Sequence, residues 1–239
     1  MGPKITANPE DGQISQHKSQ SPQETNAVND QALNARIDRL ESLDQIRQLP
    51  AKYALALDMR DMDAMVSLFP TNVRVGKSAS GREALRAYMD QTLRSPFTGT
   101  SHHIGGHIIE FSNPDHAQGV VYSKNEHETG DEWVIMQMMY IDDYIRIDGR
   151  WYFERRLPLY WYATDLNKPP IGDNKIRWPG TDPVGGNFHT LFPSYSEFWK
   201  RSGAPDGPVP EPAPLDQFLN TMRRGAEAPK VQIRADRKK

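Results

Sequence analysis

The sequence contains no cysteine. This absence excludes disulfide bonds, thiolate nucleophiles and cysteine metal sites, and it fits a reducing cytoplasm. No apolar run approaches the roughly 20 residues that a membrane helix needs, and the N-terminal segment lacks the apolar stretch of a secretory signal. The formal net charge of −2 gives no overall field that would favour nucleic acid or an anionic membrane. We therefore expect a cytoplasmic protein that binds neither nucleic acid nor membrane.

The sequence also lacks the motifs of phosphate and dinucleotide chemistry. It has no glycine-rich phosphate loop, no GxSxG elbow and no dinucleotide fingerprint. His103 and His107 share strand parity but would lie about 13 Å apart, too far for two ligands of one zinc ion. We therefore expect neither a metal site nor a bound cofactor.

Helical periodicity marks the first part of the chain, where Leu33, Ile37 and Leu40 recur at helical spacing. Helix formers then continue through AKYALALD to Asp58, and a further helix is predicted over REALRAYMDQTL. Turn signals such as Asp148-Gly149 separate the strand-like runs that follow. These runs are HIGGHIIEFS, AQGVVYSKNEH, EWVIMQMMYIDDYIRI and RWYFERRLPLYWY. Helices followed by a mostly antiparallel sheet predict an α+β fold.

Composition divides the chain into four segments. Residues 1–28 are rich in Gln, Ser, Asn and Pro, so we expect a disordered tail. Residues 29–163 carry the α+β domain. Residues 164–202 combine proline with many aromatic residues, which predicts a segment that wraps its own domain or a neighbouring subunit. Residues 203–239 are expected to be a Pro-rich, basic tail with one weak helix at LDQFLNTMRR.

Polar residues inside apolar elements are the candidates for chemistry, because a polar group buried without a partner costs free energy. Asp58 ends a helix, where the dipole opposes a negative charge and would make the carboxylate a stronger proton acceptor, which suits a general base. A solvated helix end is the simpler interpretation. Tyr53 lies five residues earlier, about 140° away on the helical wheel, so both side chains could border a wide cavity.

Two pairs of neighbouring residues must place their side chains on opposite faces of a strand. One of His102 and His103 should face inward, as a catalytic base or as a structural histidine. One of Arg155 and Arg156 should also face inward, where it needs an acid or an anionic substrate group, a salt bridge being the commoner reason. Residues 125–128 lie near a turn, and solvated loop is their default interpretation.

The stretch from about Arg36 to Tyr162 resembles the SnoaL-like branch of the nuclear transport factor 2-like superfamily. The patterns that carry the resemblance are YALALDMRDMDAMVSLF, GREALRAYM, TSHHIGGHIIEF and YIDDYIRIDGRWYFERR, in that order. The resemblance implies a cone-shaped, curved, mostly antiparallel sheet wrapped around a long N-terminal helix, with a cavity at its wide end. It also implies acid/base chemistry without a cofactor and a homo-dimer or homo-trimer.

The resemblance assigns roles to particular residues. Asp58 and His102 match the aspartate and histidine of dehydratase-like members, which implies a catalytic dyad. Tyr53 and Arg156 would stabilise the departing group or the developing negative charge. Asn125 stands where some members have an acid, so the resemblance does not extend to a second carboxylate that orients the histidine. Substrate contacts are expected from His103, Asn125, Tyr140 and Tyr160.

These assignments predict a cofactor-independent lyase of the dehydratase or deformylase type, acting on a hydroxylated aromatic or polycyclic small molecule. The aromatic run Tyr160-Trp161-Tyr162 favours an aromatic substrate, for example a lignin-derived diarylpropane diol. Two alternatives stay open: an isomerase or cyclase acting on a steroid- or polyketide-like substrate, and a non-catalytic binding module or dioxygenase small subunit.

Overall fold

The fold consists of a long helix, two shorter helices and a large antiparallel sheet, followed by short C-terminal elements. The computed structural model describes residues 22–130, 132–168, 170–187, 189–200, 218–226, 231 and 233–235. The helices are α1 (Pro22–Asp58), α2 (Met62–Val66), α3 (Arg82–Arg94), α4 (Pro193–Lys200) and α5 (Phe218–Arg223). The strands are β1 (Val73–Val75), β2 (Ala79–Ser80), β3 (Gly99–Asn113), β4 (His116–Thr129), β5 (Glu132–Ile147), β6 (Arg150–Asp165) and β7 (Ile233–Ala235).

Helix α1 begins earlier than the sequence suggests. It starts at Pro22, so residues 22–28 are helical and not part of the tail predicted over 1–28, whose first 21 residues lie outside the described residues. Proline suits the first helical turn, because its fixed φ matches the helix and its missing N–H is not needed there. The helix continues through Pro50 to Asp58. No described helix is long and apolar enough to cross a membrane.

The sheet is curved and unclosed, and its strands pair antiparallel throughout the described part of the chain. Seven strands are present among the described residues, in the order β2-β1-β7-β6-β5-β4-β3. The hairpin between β5 and β6 has the predicted two-residue turn, with Asp148 at φ 50° and Gly149 at φ 76°. Positive φ at both positions is the type I′ geometry that matches the twist of paired strands. The α+β prediction is therefore confirmed.

The inner face of the sheet packs against the second half of α1 and against α2 and α3. Its core includes Ile46, Leu57, Tyr144, Trp151 and Phe153, all almost completely buried. The apolar positions of α1 that contribute to this core recur three to four residues apart, so one stripe of the helix faces the sheet. The burial of these large side chains fixes the end of α1 against the sheet, and the candidate site begins at that end.

The outer face of the sheet is covered by the C-terminal part of the same chain. Leu191 and Leu219 pack on Ile141 and Leu159 in a second buried cluster. The side chain of Glu110 accepts hydrogen bonds from the backbone N–H groups of Leu219 and Asn220, which caps the start of α5. A carboxylate there complements the positive end of the helix dipole. Residues of both C-terminal segments, Leu191 and Leu219, thus contact the sheet of the same chain.

Strand β7 lies within 203–239, the segment expected to be a tail. Its residues pair with β1 on one side and with β6 on the other, so this strand occupies the interior of the sheet. Three residues cannot show a period of two convincingly, and the sequence pattern therefore gave no sign of this strand.

Candidate functional site

A buried aspartate and histidine form the centre of the site. The Nδ1 of His102 lies 2.6 Å from Oδ1 of Asp58, and the backbone N–H of His102 donates to Oδ2 at 2.9 Å. Thr100 Oγ1 donates a third hydrogen bond to Asp58 at 3.0 Å. The three bonds hold the carboxylate at the end of α1, which offsets the unfavourable helix dipole. Asp58 is thus not the solvated helix end that a simpler interpretation of the sequence allows.

The hydrogen bonds of the dyad determine the tautomer of His102. A carboxylate can only accept, so the ring nitrogen that faces Asp58 carries the proton and Nε2 is left with the lone pair. Burial lowers the pKa of His102, although the hydrogen bond and the charge of Asp58 act in the opposite direction. The imidazole is therefore neutral at pH 7, with Nε2 available as a base.

Strand register separates the two neighbouring histidines. His102 lies opposite the buried Asn125, whereas His103 lies opposite the exposed Lys124. The side chain of His103 is exposed on the outer face, where its Nε2 lies 3.3 Å from Ser101 Oγ. The structure therefore does not bring His103 into the site. This placement does not agree with the substrate contact expected for His103 from the sequence.

Asn125 and His127 lie on the inner face beside the dyad. Both are buried, because β4 continues to Thr129 instead of ending in the solvated loop expected for 125–128. The side chain of Asn125 accepts a hydrogen bond from Ser123 Oγ and donates one to the sulfur of Met138. Asn125 is thus fixed by its neighbours on the same face.

His127 is a candidate that sequence reasoning missed. Its ring centroid lies 5.3 Å from that of His102 and 4.5 Å from that of Phe97. Its Nδ1 is buried without a hydrogen-bond partner in the described residues. Burial lowers the pKa of His127 to about 3, so the ring is neutral. The available signal was parity, because His127 follows Asn125 by two residues on the same strand.

Arg156 forms a second cluster with three aromatic rings. Its guanidinium carbon lies 3.7 Å from the ring centroid of Tyr140, 4.5 Å from that of Tyr53 and 4.6 Å from that of Phe153. Its Nε lies 3.7 Å from Oδ1 of Asp142, and none of its nitrogens has a hydrogen-bond partner in the described residues. The structure thus brings Tyr53 and Tyr140 together around the buried positive charge of Arg156.

The two clusters act on each other electrostatically. The charge of Arg156 contributes to the lowered pKa of His102, and Asp58 contributes to the raised pKa of Tyr140. Burial raises the pKa of Tyr53 and of Tyr140, so both hydroxyls stay protonated and can donate hydrogen bonds at neutral pH. The site therefore combines one neutral base with a fixed cation and two hydroxyl donors.

Three further features lie outside these clusters. A bulge between Ile104 and His107 places His107 on the inner face, opposite Val121, so the assumption of shared parity with His103 was wrong. In the described part of the chain, no group of three His, Asp or Glu side chains is arranged to hold a metal ion. A groove of about 450 Å³ lies at the far end of β3 and includes none of the predicted site residues.

Residues 38–157 match the profile of the SnoaL-like domain, which is half of the chain. The chain belongs to the SnoaL-like domain family. No curated protein matches it.

Several solved structures are similar to this chain. A hexachlorocyclohexane dehydrochlorinase (LinA) type 2 is 21% identical, with a TM-score of 0.51, and the match covers 57% of this chain and 99% of the dehydrochlorinase chain. The type 3 enzyme from Novosphingobium barchaimii LL02 is 19% identical, with a TM-score of 0.51, and covers 56% and 96%.

A third structure is called a putative scytalone dehydratase, from Novosphingobium aromaticivorans DSM 12444. It is 26% identical, with a TM-score of 0.48, and covers 57% of this chain and 97% of its own. The two dehydrochlorinase structures are matched over almost their whole length but cover little more than half of this chain.

A residue beyond the matched region contacts aromatic side chains near the candidate site. Trp178 lies outside the matched region, and its ring centroid is 6.0 Å from that of Phe97 and 6.5 Å from that of Tyr160. Tyr160 is half-buried and packs with Tyr140. Gly186 lies directly against the backbone of β6, because a Cβ there would lie 2.4 Å from the carbonyl oxygen of Trp161. Trp178 thus packs on Phe97 and Tyr160, which in turn contact His127 and Tyr140.

Proposed function

We propose that this chain is a cofactor-independent lyase that eliminates water or a small aldehyde from a hydroxylated aromatic or polycyclic small molecule. The observation that carries the proposal is the dyad, in which Asp58 holds the proton on Nδ1 of His102 and leaves Nε2 free. A neutral imidazole with a fixed tautomer and a lowered pKa is suited to remove a proton at neutral pH.

The dehydration step balances without any other reactant. His102 Nε2 takes a proton from a carbon next to the one that bears the hydroxyl group. The C–H electron pair forms the new double bond, the C–O bond breaks, and the imidazolium returns the proton to the departing hydroxyl as water. Asp58 stabilises the imidazolium in between, because its carboxylate accepts the Nδ1–H bond.

The negative charge that develops during the step has a matching environment. Arg156 supplies a buried positive charge, and Tyr53 supplies a hydroxyl whose raised pKa keeps it a donor. Such groups stabilise a transition state most strongly where water is excluded. A dehydrochlorinase is among the structures that share the fold, so elimination is compatible with this scaffold.

The surrounding rings support the proposed aromatic substrate class. Tyr53, Tyr140, Tyr160 and Trp178 present aromatic faces and edges around the polar groups. Offset and edge-to-face contacts would favour an aromatic substrate by about 0.5–1.5 kcal/mol for each ring pair. A phenolic diarylpropane diol is a concrete version. Loss of its benzylic hydroxyl and its phenolic proton as water would give a quinone methide. Removal of the proton from the remaining CH2OH group would then break the adjacent C–C bond, release formaldehyde and return the electron pair to the ring, whose oxygen takes up the proton.

Product analysis by mass spectrometry tests the proposal. The purified chain is incubated, without added metal or nucleotide, with phenolic diols, hydroxysteroids and hydroxylated polyketides. We expect loss of water or formaldehyde from one class, and this loss should disappear in His102→Ala. His103→Ala is the matched control, since that neighbouring side chain is exposed on the other face, and it should keep its activity. Full activity in His102→Ala would refute the proposed base.

An isomerase or cyclase is the second candidate, and Arg156 is the observation that favours it. The same base could move a proton within the substrate while the buried guanidinium stabilises an enolate. The mass would then stay unchanged while the chromatographic retention of the substrate changes.

A further inference from the structure

A chain of polar contacts runs across the inner face of the sheet to Arg156. Nε2 of His107 lies 3.0 Å from the hydroxyl oxygen of Tyr144, and this hydroxyl donates to Oδ2 of Asp142 at 3.0 Å. The other carboxylate oxygen of Asp142 lies 3.7 Å from Nε of Arg156 and accepts no hydrogen bond in the described residues. All three strands β3, β5 and β6 thus contribute to one connected group.

The direction of these hydrogen bonds follows from the number of protons. Tyr144 has one hydroxyl proton and gives it to Asp142, so its oxygen must accept from Nε2–H of His107. Burial lowers the pKa of His107 to about 4, which keeps this ring neutral with Nδ1 unprotonated. His107 therefore acts as a neutral donor that orients Tyr144.

Glycine residues make room for this arrangement. The bulge at Gly105 and Gly106 turns His107 to the inner face. A Cβ at Gly119 would lie 3.0 Å from Nε2 of His107 and 3.1 Å from Cε2 of Tyr144, so only glycine leaves both side chains in place. The backbone is thus adapted at two positions to bring His107 onto Tyr144.

Asp142 is the one ion-pair partner of Arg156 in the described residues. The carboxylate is fully buried, and this burial raises its pKa to about 6, opposed by Arg156 and by the hydrogen bond from Tyr144. The other charged or titratable groups that act on Asp142, Arg156 or His107 are Asp143, Arg155, Tyr53, Tyr140 and Arg47. The charge of the Arg156 cluster therefore depends mainly on whether Asp142 is ionised.

We propose that Asp142, held by Tyr144 and His107, determines the charge of the ligand that the site accepts. Ionised Asp142 offsets the charge of Arg156, so the site disfavours a full anion but still accepts a ligand that presents an uncharged hydroxyl or carbonyl oxygen to the guanidinium. When Asp142 is protonated or replaced by an amide, the guanidinium is uncompensated and the site also takes an aromatic anion. The inference rests on the proposed function in one respect, namely that Arg156 borders the ligand site.

Binding of benzoate and of neutral benzyl alcohol to the full chain tests this inference by calorimetry. If benzoate needs protonated Asp142, the competent fraction is about 3% at pH 7.5 and about 75% at pH 5.5, so affinity should rise about 25-fold on acidification. Benzyl alcohol should bind alike at both pH values. Asp142→Asn should bind benzoate at pH 7.5 as tightly as the unchanged protein does at pH 5.5.

Two further variants separate this effect from other causes. Asp143→Asn is the matched control, because its carboxylate pairs with Arg155 and not with Arg156. It should keep the rise in benzoate affinity on acidification, with a midpoint at slightly lower pH, since the charge of Asp143 contributes to the raised pKa of Asp142. Tyr144→Phe removes a bond that lowers the pKa of Asp142, so the midpoint for benzoate should move to higher pH. Protonation of His102 would also favour benzoate, but that contribution persists in Asp142→Asn.

Three outcomes would overturn the inference: benzoate fails to bind at pH 5.5, Asp142→Asn binds it no more tightly at pH 7.5 than the unchanged chain does, or the midpoint stays fixed in Tyr144→Phe. The measurement does not depend on turnover. A protein that shows the expected binding pattern but converts no substrate would sustain this inference and contradict the lyase proposal.

Discussion

Replacement of Asp58 by asparagine would alter the tautomer of His102 while changing the shape of the site very little. The carboxylate accepts three hydrogen bonds, from the ring and the backbone of His102 and from Thr100. An asparagine side chain has one acceptor oxygen, and its amide would face one of these donors with another donor. The ring of His102 can relieve this conflict by carrying its proton on Nε2, and Nε2 is then no longer a base.

Two magnitudes follow for Asp58→Asn. A correctly protonated general base contributes about 10²–10⁴-fold to a rate, so turnover should fall by that factor with KM changed much less. Leaving one buried donor without an acceptor should lower the free energy of unfolding by about 1–3 kcal/mol. Since Asp58 raises the pKa of His102, the variant should show a still lower pKa for this ring.

Nuclear magnetic resonance of the ring carbons of His102 measures this outcome without a known substrate. The Nδ1–H tautomer of the unchanged protein should give way to the Nε2–H tautomer in Asp58→Asn, and the titration midpoint should fall. The exposed ring of His103 serves as an internal control in the same spectra. If His102 kept its tautomer and its midpoint, the dyad would not control the proton, and our account of the base would be refuted.

Three further predictions concern stability. Glu110→Gln should weaken the cap of α5 by about 1 kcal/mol and speed hydrogen exchange over residues 218–223, with little effect elsewhere. Gly119→Ala should destabilise the fold by about 1–3 kcal/mol in urea unfolding, because its Cβ would lie 2.8 Å from a backbone carbonyl oxygen of β3, whereas Gly106→Ala meets nothing within 4 Å and should be nearly neutral. His127 has its pKa lowered from 6.5 to about 3, so the unfolded state binds more protons than the folded state between these values. Its contribution to stability is therefore complete above pH 6.5 and falls by up to about 1.4 kcal/mol per pH unit below it. The raised pKa of Asp142 changes stability with pH in the opposite direction. The contribution of His127 is therefore measured as the difference in the pH dependence of the unfolding free energy between the unchanged protein and His127→Gln.

Periodicity and family resemblance predicted the elements that have strong local patterns. The end of α1 at Asp58, the turn at Asp148-Gly149 and the antiparallel sheet follow from helix formers, turn residues and alternating strands. The pairing of Asp58 with His102 came from the resemblance, since the two residues lie on different elements and no local pattern relates them. The structure shows that the side chains of Asp58 and His102 are in contact, while their catalytic roles stay predictions.

The remaining differences between the sequence predictions and the structure have physical causes. The alternation of polar and apolar residues in the sequence does not reveal these causes. The bulge before His107 shifts parity by one residue, which moved this side chain to the inner face. The burial of His127 depends on how far β4 extends, and the polar residues near the end of β4 gave no strand signal in the sequence. The capping of α5 by Glu110 joins residues that are far apart in sequence. Such long-range contacts are decided by packing, which one sequence does not display.

The interior position of β7 has a consequence for how the protein is made. Val73 and Ala235 pair across most of the length of the chain, and β7 also contacts β6. During translation, the facing edges of β1 and β6 stay unpaired until β7 has left the ribosome, while the hairpins from β3 to β6 can already form. Closing so long a loop is slow, and edges left open meanwhile are prone to pairing with other chains. We therefore expect folding in two kinetic phases, with the late phase reporting the insertion of β7, and greater dependence on chaperones when synthesis is fast.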